Sequence, residues 1–203
     1  MTATPTTPDE RHQQQDALQV EADRVVDELG LTDLLTAIGR PHRVGSSRLG
    51  LMVVRDIDVT VVCNDLTATA AAVVDAAAHL SAHPDVRELT FRKETSRFNL
   101  YPDRYPDGLY LRLTYAPPQR PEWTLDIWFV DEPDRQPDLA HVQSMPTRLT
   151  PEARDAILLI KHAWVLRGDY GTVVTSHDVY TAVLDHGVTD LDSFTAWVDA
   201  RAA

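Results

Sequence analysis

Two aspartates stand two residues apart at the head of an apolar run, Arg55-Asp56-Ile57-Asp58-Val59-Thr60-Val61. Side chains at i and i+2 of a strand point to one side, so Asp56 and Asp58 bring four carboxylate oxygens into one small volume. Left unpaired, carboxylates so placed repel each other. A hard divalent cation such as Mg²⁺ removes the repulsion and in turn binds phosphate oxygens of a substrate. Ahead of the pair lies Gly45-Ser46-Ser47-Arg48. A Gly-Ser turn lets backbone N–H groups and the Ser46 hydroxyl approach a phosphate, because no bulky Cβ substituent intervenes. Arg48 and Arg55 flank the motif and could face phosphate or form surface ion pairs. The plain structural alternative is a wet strand face preceded by an ordinary turn.

Lys93 and Lys161 are the two lysines of the chain. Lys161 interrupts the helical run Ala156 to Trp164, where its ammonium could snorkel from an apolar face toward a phosphate or simply toward water. Ser176-His177-Asp178 reads as a helix start with Ser176 as N-cap, since no nucleophile accompanies the His-Asp pair. The eight histidines include one His-x₃-His spacing, His79 and His83 at the Pro-terminated end of an Ala-rich run, but no His-Glu-x-x-His, and the single cysteine, Cys63, permits neither an internal disulfide nor a cysteine zinc site. Tyr101 to Gly108 is a turn-rich aromatic loop, either one wall of an acceptor pocket or a hairpin connection.

Several elements must position these groups. Apolar residues from Ala17 to Leu35 recur with helical spacing and predict one or two helices broken near Gly30. Residues 42–44 lead into a Gly45-Ser46-Ser47 loop, and Ile57 to Cys63 alternates as a strand. Leu66 to Ala82 predicts a helix ended by His83-Pro84. Strands are expected at Val86 to Arg92, Gly108 to Tyr115 and Trp123 to Val130. An acidic, Pro-broken loop at 131–138 marks a subdomain boundary. Thr150 as N-cap and Pro151 in the first turn open a helix to about Arg167, followed by helices near 176–186 and 190–201.

The 203 residues carry a formal charge of −12, with 23 Asp and 8 Glu against 19 Lys plus Arg. A single Asp therefore signals little, because most must be solvated surface, turn or cap residues. The acidic surplus disfavours a long polyanion as partner. With no long apolar run and no secretory leader, the expectation is a soluble cytoplasmic protein without a membrane partner.

Gly45, Ser46, Asp56 and Asp58 resemble, residue by residue, the first part of the nucleotidyltransferase superfamily motif. That superfamily has the polymerase-beta-like fold and includes antibiotic and minimal nucleotidyltransferases. The resemblance covers residues 40–130. It implies an α+β architecture: a small mixed sheet flanked by helices and followed by a C-terminal helical subdomain. The expected division is a disordered tail at 1–15, a nucleotidyltransferase-like domain at 16–148 and the helical subdomain at 149–203.

The resemblance also implies a third carboxylate on a later strand, and Asp126 stands at that place in Trp123-Thr124-Leu125-Asp126-Ile127. Asp56 and Asp58 would hold two Mg²⁺ ions, with Asp126 completing the second metal site or accepting the acceptor's proton, and the three would catalyse transfer of a nucleoside monophosphate from a triphosphate such as ATP, with release of pyrophosphate. Gly45, Ser46, Ser47, Arg48 and Lys161 would bind the nucleotide. A small-molecule acceptor of the aminoglycoside type is favoured over nucleic acid by charge. The alternatives are a toxin-like enzyme modifying tRNA or protein, and a degenerate nucleotide-binding member whose Asp126 points away. Convergence of the three carboxylates within about 5 Å, the reach over which two metals about 4 Å apart are shared, separates a catalytic site from the degenerate case, while a basic groove beside the Asp pair marks the toxin-like one.

Overall fold

The computed structural model describes residues 7–202. In chain order its elements are α1 (Pro8–Glu28), α2 (Leu31–Thr36), β1 (Arg40–Val44), α3 (Gly45–Leu49), β2 (Asp56–Val62), α4 (Leu66–Ser81) and β3 (Val86–Glu94). There follow β4 (Gly108–Tyr115), β5 (Trp123–Val130), α5 (Pro137–Ser144), α6 (Pro151–Arg167), α7 (Ser176–His186) and α8 (Leu191–Ala202).

Three differences from the sequence expectations have local causes. The disordered tail expected through residue 15 is helical from Pro8. Thr7 accepts from the Glu10 backbone N–H while the Glu10 carboxylate accepts from that of Thr7, a capping box that starts the helix with Pro8 in its first turn. The earlier part of that expectation, residues 1–6, lies outside the described residues. Residues 40–44 form a strand, and Gly45-Ser46-Ser47 opens a short helix instead of a loop. Thr175, one residue before Ser176, caps α7 and forms a reciprocal box with Asp178. Thr150 caps α6 as its sequence predicts.

The chain divides into two compact units. One comprises residues 20–49 and 55–143, the other 1–19, 50–54 and 144–203, so neither is continuous in sequence. The first holds a five-stranded mixed sheet in the order β1-β2-β5-β4-β3. β2 and β5 run parallel, and the other neighbours are antiparallel. Strand alternation turns Ile57, Val61, Leu125, Ile127, Phe129, Leu111 and Leu113 to one face, each with 0% exposure. Burying each such side chain contributes about 2 kcal/mol. Val73, Ala76 and Leu80 of α4 are buried as that helix packs along β3 and β4.

The carboxyl end of α1 joins this unit through Glu28. Its carboxylate accepts from the Tyr115 hydroxyl at 2.8 Å and from Arg120 at 2.8 and 3.1 Å. Arg120 above all holds the Glu28 carboxyl down at about 2, against a usual 4.5.

In the second unit, α6 packs on α7 and α8. Trp164 meets Phe194 edge to face with ring centres 5.7 Å apart. His162 is buried, and its Nε2 has no hydrogen-bond partner. Burial, with Arg11 and Lys161 adding positive charge, pushes its pKa down to about 4 from the usual 6.5.

Acid should therefore weaken the fold in two windows. The unfolded chain protonates His162 below pH 6.5 while the folded chain resists until about 4, so stability falls across that interval. The Glu28 contribution is full above pH 4.5 and fades toward 2. Chemical denaturation from pH 8 to 3 should show both declines, and Glu28→Gln should flatten the lower one, at a cost of about 1 kcal/mol near neutrality.

Candidate active site

The sheet's other face is polar. Register places Asp58 of β2 directly beside Asp126 of β5, with Asp56 beside Thr124. Asp126 faces Arg112 of β4, and Trp128 faces Tyr110. One carboxylate oxygen from each of Asp56, Asp58 and Asp126 lies within 4.8 Å of the other two, and all three residues are half-buried. The structure thus satisfies the convergence condition set by the sequence, and Asp126 does not point away.

Three ionised carboxylates at that separation repel one another by about 3 kcal/mol per pair at an effective dielectric of 20. Two neighbours ease this at Asp126. Tyr110 donates its hydroxyl to Oδ1, and the Arg112 Nε lies 3.9 Å from the same oxygen. Burial and the Asp126 carboxylate together push the Tyr110 phenol far above its usual range, so it stays a donor. Asp126 in turn raises the Arg112 pKa. Hydrogen bonds of this kind contribute about 2 kcal/mol and cannot offset the full repulsion. A set of hard oxygen donors fits Mg²⁺ or a similar divalent ion, and it lacks the nitrogen and sulfur ligands that zinc prefers.

Gly45 brings β1 and its following turn against this cluster. Val44 pairs with Asp58, and Gly45 takes φ +62°, a conformation that glycine adopts without strain. A Cβ at Gly45 would overlap the Asp58 carboxylate. Glycine is therefore required here by close approach as well as by backbone shape. Ser46 is buried beside it at 8% exposure.

The other sequence candidates have varied surroundings. The Ser47 hydroxyl donates to the Val44 carbonyl at 3.2 Å and accepts from the Arg43 Nε at 3.1 Å, so it braces the turn. Arg48 is exposed. Arg55 pairs with Glu21 at 3.0 Å, the ion-pair alternative of its sequence reading. Lys161 belongs to the second unit, where it is 1% exposed. Its Nζ donates to the Leu51 carbonyl at 2.6 Å and lies over the Tyr170 and Tyr180 rings. Asp178 serves the α7 cap and an ion pair with Arg201.

Sequence reasoning missed Tyr110, Arg112 and Trp128. All three share strand parity with Asp126 once β4 and β5 are in register, and the register was the missing datum.

Among the described residues, no helix is long and apolar enough to cross a membrane. No protein-family model matches the chain, and no curated protein matches it in sequence. Solved structures do. One describes the RNA terminal uridylyl transferase activity of Cid1, with TM-score 0.61 and 19% identity over 85% of this chain and 48% of the other. Another, of a cytoplasmic RNA terminal U-transferase, has TM-score 0.57 and 19% identity over 84% of this chain and 49% of the other. The chain thus spans about half the length of these structures. At this identity the likeness establishes the fold alone, one shared with these two terminal transferases.

The contact at Gly45 yields a prediction. Gly45→Ala should displace the Asp58 carboxylate and weaken Mn²⁺ binding about tenfold or more, as loss of ligand support generally does. Titration followed by electron paramagnetic resonance, with circular dichroism as the control for folding, measures this. Unchanged affinity in a folded variant would contradict the account of the site.

Proposed function

We propose that the protein transfers a nucleoside monophosphate from a nucleoside triphosphate to an acceptor hydroxyl or amine. The observation that carries this is the convergence of Asp56, Asp58 and Asp126 within 4.8 Å on a nucleotidyltransferase sheet. The three aspartates are the proposed ligands of two Mg²⁺ ions. Bound there, the metal supplies positive charge to the triphosphate and offsets the carboxylate repulsion.

The chain's own groups do the rest. The turn at Gly45 and Ser46 holds the β- and γ-phosphates on the β1 side of the carboxylates. Arg48 is exposed next to that turn and is a further candidate phosphate contact. Asp126 receives the acceptor's proton as the acceptor oxygen bonds the α-phosphorus and the bond to the bridging oxygen breaks, releasing pyrophosphate. Tyr110 occupies one Asp126 oxygen and thereby orients the other. In this reading Lys161 anchors residues 50–54 through the Leu51 carbonyl instead of contacting phosphate directly.

A small-molecule acceptor is our preferred reading. A cavity of about 450 Å³ opens on the polar sheet face, a volume typical of small-molecule sites. Arg92, the one arginine of its lining, is paired with Glu94, and Asp138 adds a second carboxylate to the wall, a lining with no excess of positive charge for a polyphosphate chain. Transfer to an RNA end is the second reading, favoured by the activity described for Cid1.

An assay of α-labelled triphosphates with Mg²⁺, scored for label transfer and pyrophosphate release, tests the reaction. Asp58→Asn should lower turnover by at least a thousandfold while circular dichroism stays unchanged. Undiminished turnover in that folded variant would sink the mechanism. Label appearing on oligonucleotides and on no small molecule would move the acceptor to RNA.

A further inference from the structure

The sheet ends at β3, and among the described residues no strand pairs with its outer edge. β3 runs nine residues, Val86–Glu94, longer than most strands. Such an edge offers backbone N–H and C=O groups to any other strand, so proteins usually shorten, bend or cover it. Here the pairing with β4 is irregular only at the start, where the register shifts between Val86 and Glu88.

The face that β3 turns toward α4 is apolar. Leu89 and Phe91 pair with Leu113 and Leu111 of β4, yet Phe91 stays 39% exposed. Val74, Ala77 and Ala78 of α4 and Leu89 of β3 wall a groove of about 410 Å³. The two alanines are too short to fill the space between helix and strand, and Val74 is 50% exposed. Apolar surface gathered along an open edge marks an interface.

The order of charges along the strand identifies what fits it. A net charge of −12 keeps copies of this chain apart over most of their surface. β3 differs, with Arg87, Arg92 and Lys93 against Glu88 and Glu94. In an antiparallel pair, residues directly opposite share a face of the sheet. Two copies of β3 about a two-fold axis at Thr90 set Glu88 opposite Arg92, Leu89 opposite Phe91, and Thr90 opposite itself. Symmetry makes each of the first two contacts twice. One face gains two pairs of opposite charge, and on the other each Phe91 lies against the partner's Leu89, at the groove. Arg92 meets Glu94 through Nε at 3.2 Å, and a guanidinium has further donors for a second carboxylate. The neighbouring registers match poorly. An axis at Phe91 sets Glu88 against Glu94, and one at Leu89 sets Glu88 against Thr90 and Arg92 against Val86. In the Thr90 register Arg87 meets Lys93 at the ends of the pairing, where Glu122 already holds Arg87.

The helices leave room for this arrangement. α4 packs on both β3 and β4, so its axis lies between two strands about 4.8 Å apart. Adding a partner strand at the same spacing puts the two α4 helices about 10 Å apart, the separation of packed helices.

We infer that two copies of this chain pair edge to edge through β3, antiparallel about a two-fold axis at Thr90, and form one continuous ten-stranded sheet. β4 separates β3 from the β5 strand that carries Asp126, and the inference does not depend on the reaction proposed above.

Sedimentation equilibrium of the whole chain, with circular dichroism as the control for folding, tests the pairing. The chain should sediment at twice its own mass. Glu88→Arg and Arg92→Glu should each raise the dissociation constant about tenfold or more, because each turns two attractive pairs into repulsive ones. The double reversal should recover most of the affinity. Under mild oxidation Thr90→Cys should give a disulfide-linked dimer, since residues opposite each other on antiparallel strands have Cα atoms about 4.5 to 5.5 Å apart. Lys93→Cys should not, because its two copies stand about 20 Å apart along the strands. A monomer at concentrations up to about 100 μM overturns the inference. So does a dimer that both single reversals leave unchanged, one that the double reversal fails to recover, or one in which Lys93→Cys crosslinks as readily as Thr90→Cys.

Discussion

The parallel pairing of β2 with β5 is the constraint on which the site depends. It sets Asp58 beside Asp126 and keeps Ile57, Val59, Leu125 and Ile127 together on the opposite face. A slip of one residue would turn Asp126 into the apolar layer and an isoleucine onto the wet face. Burial of that apolar layer therefore enforces an arrangement of three carboxylates that electrostatics alone would drive apart. The hydrophobic core stores a repulsion that a cation can relieve.

Around this pairing, each nearby residue limits the freedom of a carboxylate. Gly45 allows the β1 turn to lie against Asp58, and Tyr110 holds one oxygen of Asp126. Arg112 approaches Asp126 without closing a short ion pair. The Ser47 hydroxyl and Arg43 brace the turn from beneath. Rigid sheet strands carry the acids, and a loop tied down by Asn99 carries the exposed ring of Tyr101.

The acidic surplus takes on a different meaning with the structure in view. Several surface acids are tied to arginines, as in the pairs of Glu21 with Arg55, Glu28 with Arg120 and Asp178 with Arg201. The three aspartates of the polar face are set apart by their convergence, not by their number. A net charge of −12 describes the background, whereas the proposed recognition of phosphate would depend on what those three groups hold.

By itself the sequence determined the local features. The i, i+2 spacing of Asp56 and Asp58, the strand alternation at 108–115 and 123–130, and the Thr150-Pro151 helix start all rest on interactions within a few residues. The same holds for the capping box at Thr7 and Glu10, which the composition of the tail obscured. Only the tertiary structure decided which strands are neighbours and in what register. That information placed Asp126 with the pair, brought Tyr110 and Arg112 to it, and gathered Trp128 with the Tyr101 loop into one cavity. It also enclosed Lys161 near the Leu51 carbonyl, far along the chain. The physical reason is that strand pairing joins residues distant in sequence through backbone hydrogen bonds and shared burial, neither of which leaves a mark in the spacing of one strand alone.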